Sequence, residues 1–174
     1  MKKKFVLCLV LIMIAACLCV SAADLTAKDC GNYTIDVPAD SSFEDVSFYP
    51  AGTPVNIGSS GVSSLSAPQD AKIHGERDKV NNFAIFYLDA GSGDNSVIKS
   101  ADGYRNSITD YGGVKQDSDK GYDIYKYPDN NEFKYEIVVQ DKGLLSLFPQ
   151  EKIVILMGDD LDLLTQMADS VKFN

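Results

Sequence analysis

Apolar and polar residues alternate in several short segments of the chain, and this alternation predicts a β-sheet. The clearest case is residues 132–140, in which the two faces of a strand separate. Apolar side chains occupy one face: Phe133, Tyr135, Ile137 and Val139. Polar side chains occupy the other face: Lys134, Glu136 and Gln140. We therefore expect a half-buried strand whose polar face, including Glu136, points to solvent.

Other segments have the composition of strands. Residues 83–88 are apolar at every position, which predicts a central strand buried on both faces. Residues 122–127 form a hairpin with 132–140 across turn residues 128–131. The remaining predicted strands are 33–37, 43–49 and 152–157, with one or two short strands within 54–57 and 71–75.

Two segments have the spacing of amphipathic helices. The first carries an apolar stripe and stops at Gly112, with Asp94 or Ser96 as the expected N-cap. Its stripe consists of Val97, Ala101, Tyr104, Ile108 and Tyr111. The second helix is expected over 160–172, with a stripe of Leu161, Leu164, Ala168 and Val171.

These elements define an α+β fold with a mostly antiparallel sheet of about six or seven strands flanked by two principal helices. The chain has 174 residues and is 45% hydrophobic, enough for one domain with its own core. We assign that domain to residues 24–174. It contains a long connection, rich in Ser and Gly, at residues 51–81.

Residues 1–23 have the layout of a secretory signal peptide. Three lysines precede an apolar run over 5–20, and small residues follow at 21–23. This predicts a secreted or extracytoplasmic protein that begins near Asp24. Two alternatives remain open. Cys17 ends a segment similar to a bacterial lipobox and would then carry a lipid, or the leader is retained as an anchor, although a spanning helix needs about 20 residues.

Removal of the leader makes the chain more acidic. Lys2, Lys3 and Lys4 are lost, which leaves 13 basic against 25 acidic residues and a net charge of about −12. This charge disfavours nucleic acid and anionic lipid as partners. Contact with a membrane is expected only through a retained leader or a lipidated Cys17.

Acidic residues in one turn suggest a candidate metal site. Asp117, Asp119 and Asp123 offer the oxygen ligands that Ca²⁺ prefers. Tyr122 and Pro128 stand where an EF-hand would need Gly and Glu, so a solvated turn explains the same residues. Calcium is the only cofactor that the sequence suggests.

Two surface features are candidate modification or contact sites. Asn32 begins an Asn-Tyr-Thr sequon, which would be glycosylated only if exposed. Leu144, Leu145, Leu147 and Phe148 lie between two predicted strands and would contact a partner if exposed, or close the core if buried.

Catalytic groupings are not apparent in the sequence. His74 is the single histidine, and its surroundings resemble no nucleophile elbow or cysteine protease signature. Cys30 is the one cysteine left after leader cleavage, and we expect it to be a buried small residue, with a reactive thiol or an intermolecular link as the alternatives. If the mature chain begins at Cys17 instead, Cys19 and Cys30 could pair.

Short patterns at both ends resemble the PsbP-like sandwich. They are the strand 33–37 running into Pro38, the late hairpin leading into 152–157, and Leu163-Leu164 through Ser170-Val171-Lys172-Phe173. The resemblance implies an antiparallel sheet flanked by helices and a non-catalytic accessory or binding role, and it assigns no site residue. We expect an exported, non-enzymatic domain that binds a protein or envelope component. The alternative is a carboxylate-based enzyme or a calcium-dependent module.

Overall fold

Strands make up most of the regular structure in this protein. The computed structural model describes residues 24–50, 56–57, 65–66, 72–90, 98–128, 131–143 and 151–174. In chain order the strands are β1 (Leu25–Asp29), β2 (Tyr33–Pro38), β3 (Phe43–Phe48), β4 (Asn56–Ile57), β5 (Leu65–Ser66), β6 (Ile73–Asp78), β7 (Phe83–Asp89), β8 (Val114–Gln116), β9 (Asp123–Lys126), β10 (Tyr135–Gln140), β11 (Lys152–Gly158) and β12 (Lys172–Phe173). The helices within these ranges are α1 (Ala101–Asp110) and α2 (Leu161–Ser170).

The main sheet has seven strands in the order β3-β6-β7-β11-β10-β9-β8. Every neighbouring pair is antiparallel. Strand β7 lies between β6 and β11 and is buried on both faces, as its uninterrupted apolar sequence predicts. The predicted α+β class and antiparallel sheet are therefore confirmed.

One face of this sheet is covered by α2 and a second, three-stranded sheet in the order β1-β2-β12. Strand β2 contributes Tyr33, Ile35 and Val37 to the core between these layers. Helix α2 contributes Leu163, Leu164, Met167 and Ala168. Lys172 and Phe173 form β12, which pairs with β2 and so holds the C-terminal residues against β2.

The opposite face of the main sheet is covered by α1. Ala101, Tyr104 and Ile108 of this helix pack on sheet residues that include Phe86, Val138 and Ile155. Strand β10 is therefore buried on both faces, and the prediction of a half-buried strand is wrong. Glu136 and Val138 both have 0% exposure because α1 covers the face that we expected to meet solvent.

Helix α1 starts at a different cap from the predicted one, whereas its end agrees with the prediction. Helix α1 begins after Ser100, whose Oγ accepts a hydrogen bond from the Gly103 N–H at 2.9 Å. The predicted caps Asp94 and Ser96 lie outside the described residues. The glycine stop is confirmed, since Gly112 has φ +92° directly after the C-cap.

Helix α2 begins as predicted, with the Asp160 carboxylate accepting from the Leu163 N–H at 3.0 Å. It ends at Ser170, two residues before the predicted end, because 172–173 pair with β2.

Three short strands, β1, β8 and β12, were not predicted from the sequence pattern. In the connection 51–81, β6 extends to Asp78, whereas the other described residues before 72 form only the two-residue pair β4 and β5.

Asp78 joins the end of β6 to the chain that leads into β3. Its side chain has 0% exposure and accepts five hydrogen bonds. The donors are the Ser41 hydroxyl, the Ser42, Val80 and Asn81 backbone N–H groups, and the Asn81 side-chain amide. Burial alone would raise the pKa of Asp78, but these hydrogen bonds outweigh it and hold the pKa below its usual 3.8. The stabilisation is therefore present above the unfolded-state pKa and is lost as the pH falls through the lower folded value.

We expect Asp78→Ala to lower the free energy of unfolding by about 3 kcal/mol, because five donors lose a charged acceptor. Urea unfolding at pH 7 measures this loss. Asp40→Ala is the matched control, since this exposed carboxylate accepts one bond from Asn81 at 3.2 Å. Equal losses in the two variants would contradict the role given to Asp78.

Candidate functional site

A cavity of about 380 Å³ opens on the α1 face of the main sheet. We call it the α1 pocket. Helix α1 and Tyr111 form one wall, the end of β3 and the residues after it form a second, and the segment between β9 and β10 forms a third. Glu136 of β10 and Met157 of β11 complete the lining. Thirteen residues line it: Phe48, Tyr49, Pro50, Tyr104, Ser107, Ile108, Tyr111, Tyr127, Asn131, Glu132, Phe133, Glu136 and Met157.

A buried carboxyl held by two tyrosines lies at the base of the pocket. The Tyr104 hydroxyl donates to Glu136 Oε1 at 2.7 Å, and the Tyr127 hydroxyl donates to Glu136 Oε2 at 2.5 Å. Strand pairing places Glu136 between Tyr125 of β9 and Met157 of β11. Each carboxylate oxygen of Glu136 thus has a partner despite its complete burial.

Burial controls the protonation of these groups. It raises the pKa of Glu136 from 4.5 to about 7, although the hydrogen bonds from Tyr127 and Tyr104 lower it in part. Burial and the nearby Glu136 charge raise the pKa of both Tyr104 and Tyr127 well above the usual 10. The two phenols therefore remain protonated donors, whereas Glu136 titrates near neutral pH.

Aromatic side chains make up nearly half of the lining residues. Six residues contribute them: Phe48, Tyr49, Tyr104, Tyr111, Tyr127 and Phe133. Phe48 packs edge-on against Tyr104 with ring centroids 6.5 Å apart. Tyr111 is 68% exposed and lies at the mouth of the pocket. The cavity is therefore an aromatic pocket that opens to solvent at one side.

The pocket lining contains acidic residues but no basic ones. The charged residues among the thirteen are Glu132 and Glu136, both acids. Glu132 is exposed and forms an ion pair with Arg77 at 2.6 Å. The same guanidinium lies 5.3 Å from the centroid of the Phe133 ring. Arg77 thus contacts two lining residues, Glu132 and Phe133, but does not line the cavity itself.

The structure places the predicted calcium ligands apart from this pocket. Asp123 lies in β9, where Arg105 Nε and Lys115 Nζ each approach its carboxylate to 2.6 Å. Burial raises the pKa of Asp123, but the bonds from Lys115 and Arg105 outweigh it and the pKa is lowered. Asp117 and Asp119 are exposed in the segment before β9. Among the described residues no group of three acid, His or Cys side chains is placed to hold a metal, and calcium binding here stays a prediction.

The remaining predicted sites are only partly described. Asn32 is exposed in the turn between β1 and β2, which meets the condition for glycosylation, and its occupancy stays a prediction. Cys17 and the rest of the leader lie outside the described residues, as does the segment that contains Leu144, Leu145, Leu147 and Phe148. Neither α1 nor α2, the helices of the described ranges, has the length and apolar character of a membrane-spanning segment.

Cys30 and His74 line a second, smaller cavity of about 200 Å³ together with Tyr33 and Tyr87. Cys30 is half-buried rather than fully buried, and His74 is exposed. Burial raises the pKa of the Cys30 thiol, which disfavours the thiolate that a nucleophilic cysteine requires. The arrangement therefore lacks the activation that Cys–His catalysis depends on.

Glu136, Tyr104 and Tyr127 were not among the candidate residues predicted from the sequence. Strand alternation placed Glu136 on a solvent face, and Tyr104 served only as a member of a helix stripe. One signal was present: Val138 shares the face of Glu136, and an aliphatic neighbour two positions away indicates burial. The contact between Tyr104 and Glu136, 32 residues apart, leaves no local pattern.

None of the protein-family models, curated proteins and solved structures compared with this chain matches it. The resemblance to the PsbP-like sandwich therefore stays a prediction, and the function has to be argued from the α1 pocket itself.

We expect the stability of the protein to fall with rising pH because of Glu136. Its folded pKa lies above the unfolded value, so its contribution is full below about pH 4.5 and declines as the pH rises to about 7 and beyond. The wild type should lose up to about 3 kcal/mol between pH 5 and pH 8 relative to Glu136→Gln. Urea unfolding of both proteins at each pH measures the difference.

The control for this experiment is Glu132→Gln, which removes an exposed acid from the same pocket. It should keep the pH dependence of the wild type. If Glu136→Gln and Glu132→Gln follow the same pH profile, the buried Glu136 does not titrate as described.

Proposed function

We propose that this chain is an exported binding domain that holds a small molecule in the α1 pocket. The observation that carries the proposal is an aromatic cavity of about 380 Å³ with a hydrogen-bonded acid at its base. Ligand pockets in proteins are about 300–1,000 Å³ in volume and mostly apolar, with a few polar groups that orient the ligand. The α1 pocket has each of these properties.

The lining favours binding over covalent chemistry. Ser107 is the only hydroxyl-bearing aliphatic residue of the thirteen, and its hydroxyl donates to the Tyr104 carbonyl at 2.7 Å. No His, Cys or Lys lines the pocket. A nucleophile with an adjacent base, which covalent catalysis requires, is therefore not assembled among these residues.

Acid–base catalysis by Glu136 is the second candidate, and the pKa near 7 favours it. We rank it second because Glu136 has no exposed surface and both of its oxygens already accept tyrosine hydroxyls. The other acid of the pocket, Glu132, is held by Arg77. A calcium-dependent module has less support, since the Asp123 carboxylate is paired with two cations.

Export is the part of the proposal that depends on the leader. A basic start, an apolar run and small residues at 21–23 favour delivery outside the cytoplasm. A binding domain at the envelope or outside the cell would meet both free small molecules and a protein or envelope partner. The loop of Leu144, Leu145, Leu147 and Phe148 remains our candidate for that second contact.

Small fragments should bind the wild type, and ligand-observed NMR with a mixed library of cationic, neutral and anionic compounds tests this. We expect at least one compound to bind with a Kd below about 1 mM, as a cavity of this size allows. Asn131→Trp should abolish the signal, because the half-exposed Asn131 lines the cavity and a large ring there would fill it.

Lys134→Trp is the matched control. It places the same ring on an exposed residue of the same connection that does not line the pocket. Binding that survives Asn131→Trp would move the site elsewhere, and a library without any binder would refute the proposed function.

Intact mass of the protein from its native cells tests export. We expect a soluble species that begins at Ala23 or Asp24, because the small residues at 21–23 suit leader cleavage. A lipidated species that begins at Cys17, or one that keeps residues 1–23, would place the domain on a membrane. A full-length species confined to the cytoplasm would contradict export.

A further inference from the structure

The charges around the α1 pocket limit what it can bind. Its charged lining residues are Glu132 and Glu136, and no basic side chain lines it. The chain as a whole carries a formal charge of −9. Because Arg77 already neutralises Glu132, the uncompensated charge of the lining is that of Glu136 in its ionised form, which attracts a cation and repels an anion.

The direction of the hydrogen bonds points the same way. Tyr104 and Tyr127 each donate their only hydroxyl hydrogen to Glu136. Ser107 donates its hydroxyl hydrogen to the backbone carbonyl of Tyr104. These three hydroxyls therefore offer only lone pairs to a ligand. A carboxylate, phosphate or carbonyl group would find no donor among these three hydroxyls, whereas an N–H group would find acceptors.

The aromatic walls add a second attraction for positive charge. Ring faces carry negative electrostatic potential, and several rings around one cavity recognise alkylammonium groups. Phe133 already has one cation near its ring, the Arg77 guanidinium at 5.3 Å. Six ring-bearing residues line the cavity, so an ammonium group placed in it would lie close to several of them.

From these three observations we infer that the α1 pocket binds a small organic cation, with an alkylammonium group near the Tyr104–Glu136–Tyr127 cluster. The inference rests on the proposed binding function and specifies its ligand class. The tyrosine hydroxyls would lie between the cation and the buried carboxylate, so the charges attract one another without direct contact. A neutral molecule of the same shape would lose that attraction.

Choline, whose quaternary ammonium group has no N–H, and its uncharged carbon isostere, 3,3-dimethylbutan-1-ol, test the charge and ring contributions to the inference on the wild-type protein. We expect calorimetry or NMR titration at pH 8 to give a Kd for choline at least tenfold lower than for the isostere. Benzoate, as the anionic probe, should not bind. Because this comparison needs no variant, it remains decisive if a substitution prevents folding.

Glu136→Gln tests the source of the preference. It keeps the shape of the side chain but removes the charge, so the preference for choline over the isostere should fall severalfold, to what the aromatic rings alone supply. Glu44→Gln is the matched control, since it removes one exposed acid of β3 that pairs with Lys79 and does not line the pocket. It should retain the preference for choline.

The pH dependence is a third readout. Four side chains surround Glu136. They are Tyr104 of α1, Tyr125 of β9, Tyr127 directly after β9, and the uncharged Met157 of β11. Burial raises the pKa of each of these tyrosines, to about 12 for Tyr125, so they stay neutral. The other titratable lining residues are Tyr49, Tyr111 and the ion-paired Glu132. Choline affinity should rise up to about tenfold from pH 6 to pH 8 in the wild type and stay constant in Glu136→Gln.

The outcomes separate this inference from the proposed function. Equal binding of choline and its isostere, or tighter binding of benzoate, would overturn the cation inference and leave a binding domain for another ligand class. If neutral or anionic fragments of the NMR library bind but choline does not, the cation inference is likewise overturned and the binding function stands. If no compound of any charge binds, both proposals fail together.

Discussion

The central strands of the main sheet are apolar on both faces, and this determines the rest of the architecture. Strands β7, β10 and β11 need cover on each side. Helix α2 and the β1-β2-β12 sheet cover one side, and α1 covers the other. A ten-residue helix is only about 15 Å long. Seven strands about 4.8 Å apart extend about 29 Å, so α1 is too short to cover the whole of this face of the sheet. The α1 pocket lies at this incomplete cover.

Glu136 shows how the protein tolerates an acid beneath that cover. A buried carboxylate is costly unless hydrogen bonds replace its hydration. Here two phenols donate to its oxygens, and among the described residues no fully buried side-chain nitrogen or oxygen lacks a partner. The arrangement still raises the pKa of Glu136 to about 7 and so destabilises the ionised form. A polar group kept at such a cost, at the base of a cavity, supports the proposed binding role.

Asp78 and Glu136 are both fully buried acids, yet their environments have opposite effects on protonation. Backbone and side-chain donors surround Asp78 in a turn, so its pKa is lowered and it acts as a structural anchor. Glu136 has two donors in an aromatic setting, so burial dominates its pKa. The larger number of donors around Asp78, together with its shallower position in a turn, separates the structural acid from the candidate functional one.

The sequence by itself determined the elements. Period-two alternation, the apolar run at 83–88 and the two helix stripes predicted the α+β class, the antiparallel sheet and the start of α2, because these patterns depend on neighbours a few residues away. Short edge segments such as β1, β8 and β12 have too few residues for a local signal, and their pairing depends on distant partners.

The burial of Glu136 was decided only by the tertiary structure. Strand periodicity says that Glu136 and Val138 share a face, but only the packing of α1, more than twenty residues earlier, determines that this face is covered. The same packing brings Tyr104 to Glu136 and creates the pocket from residues that lie far apart in the chain.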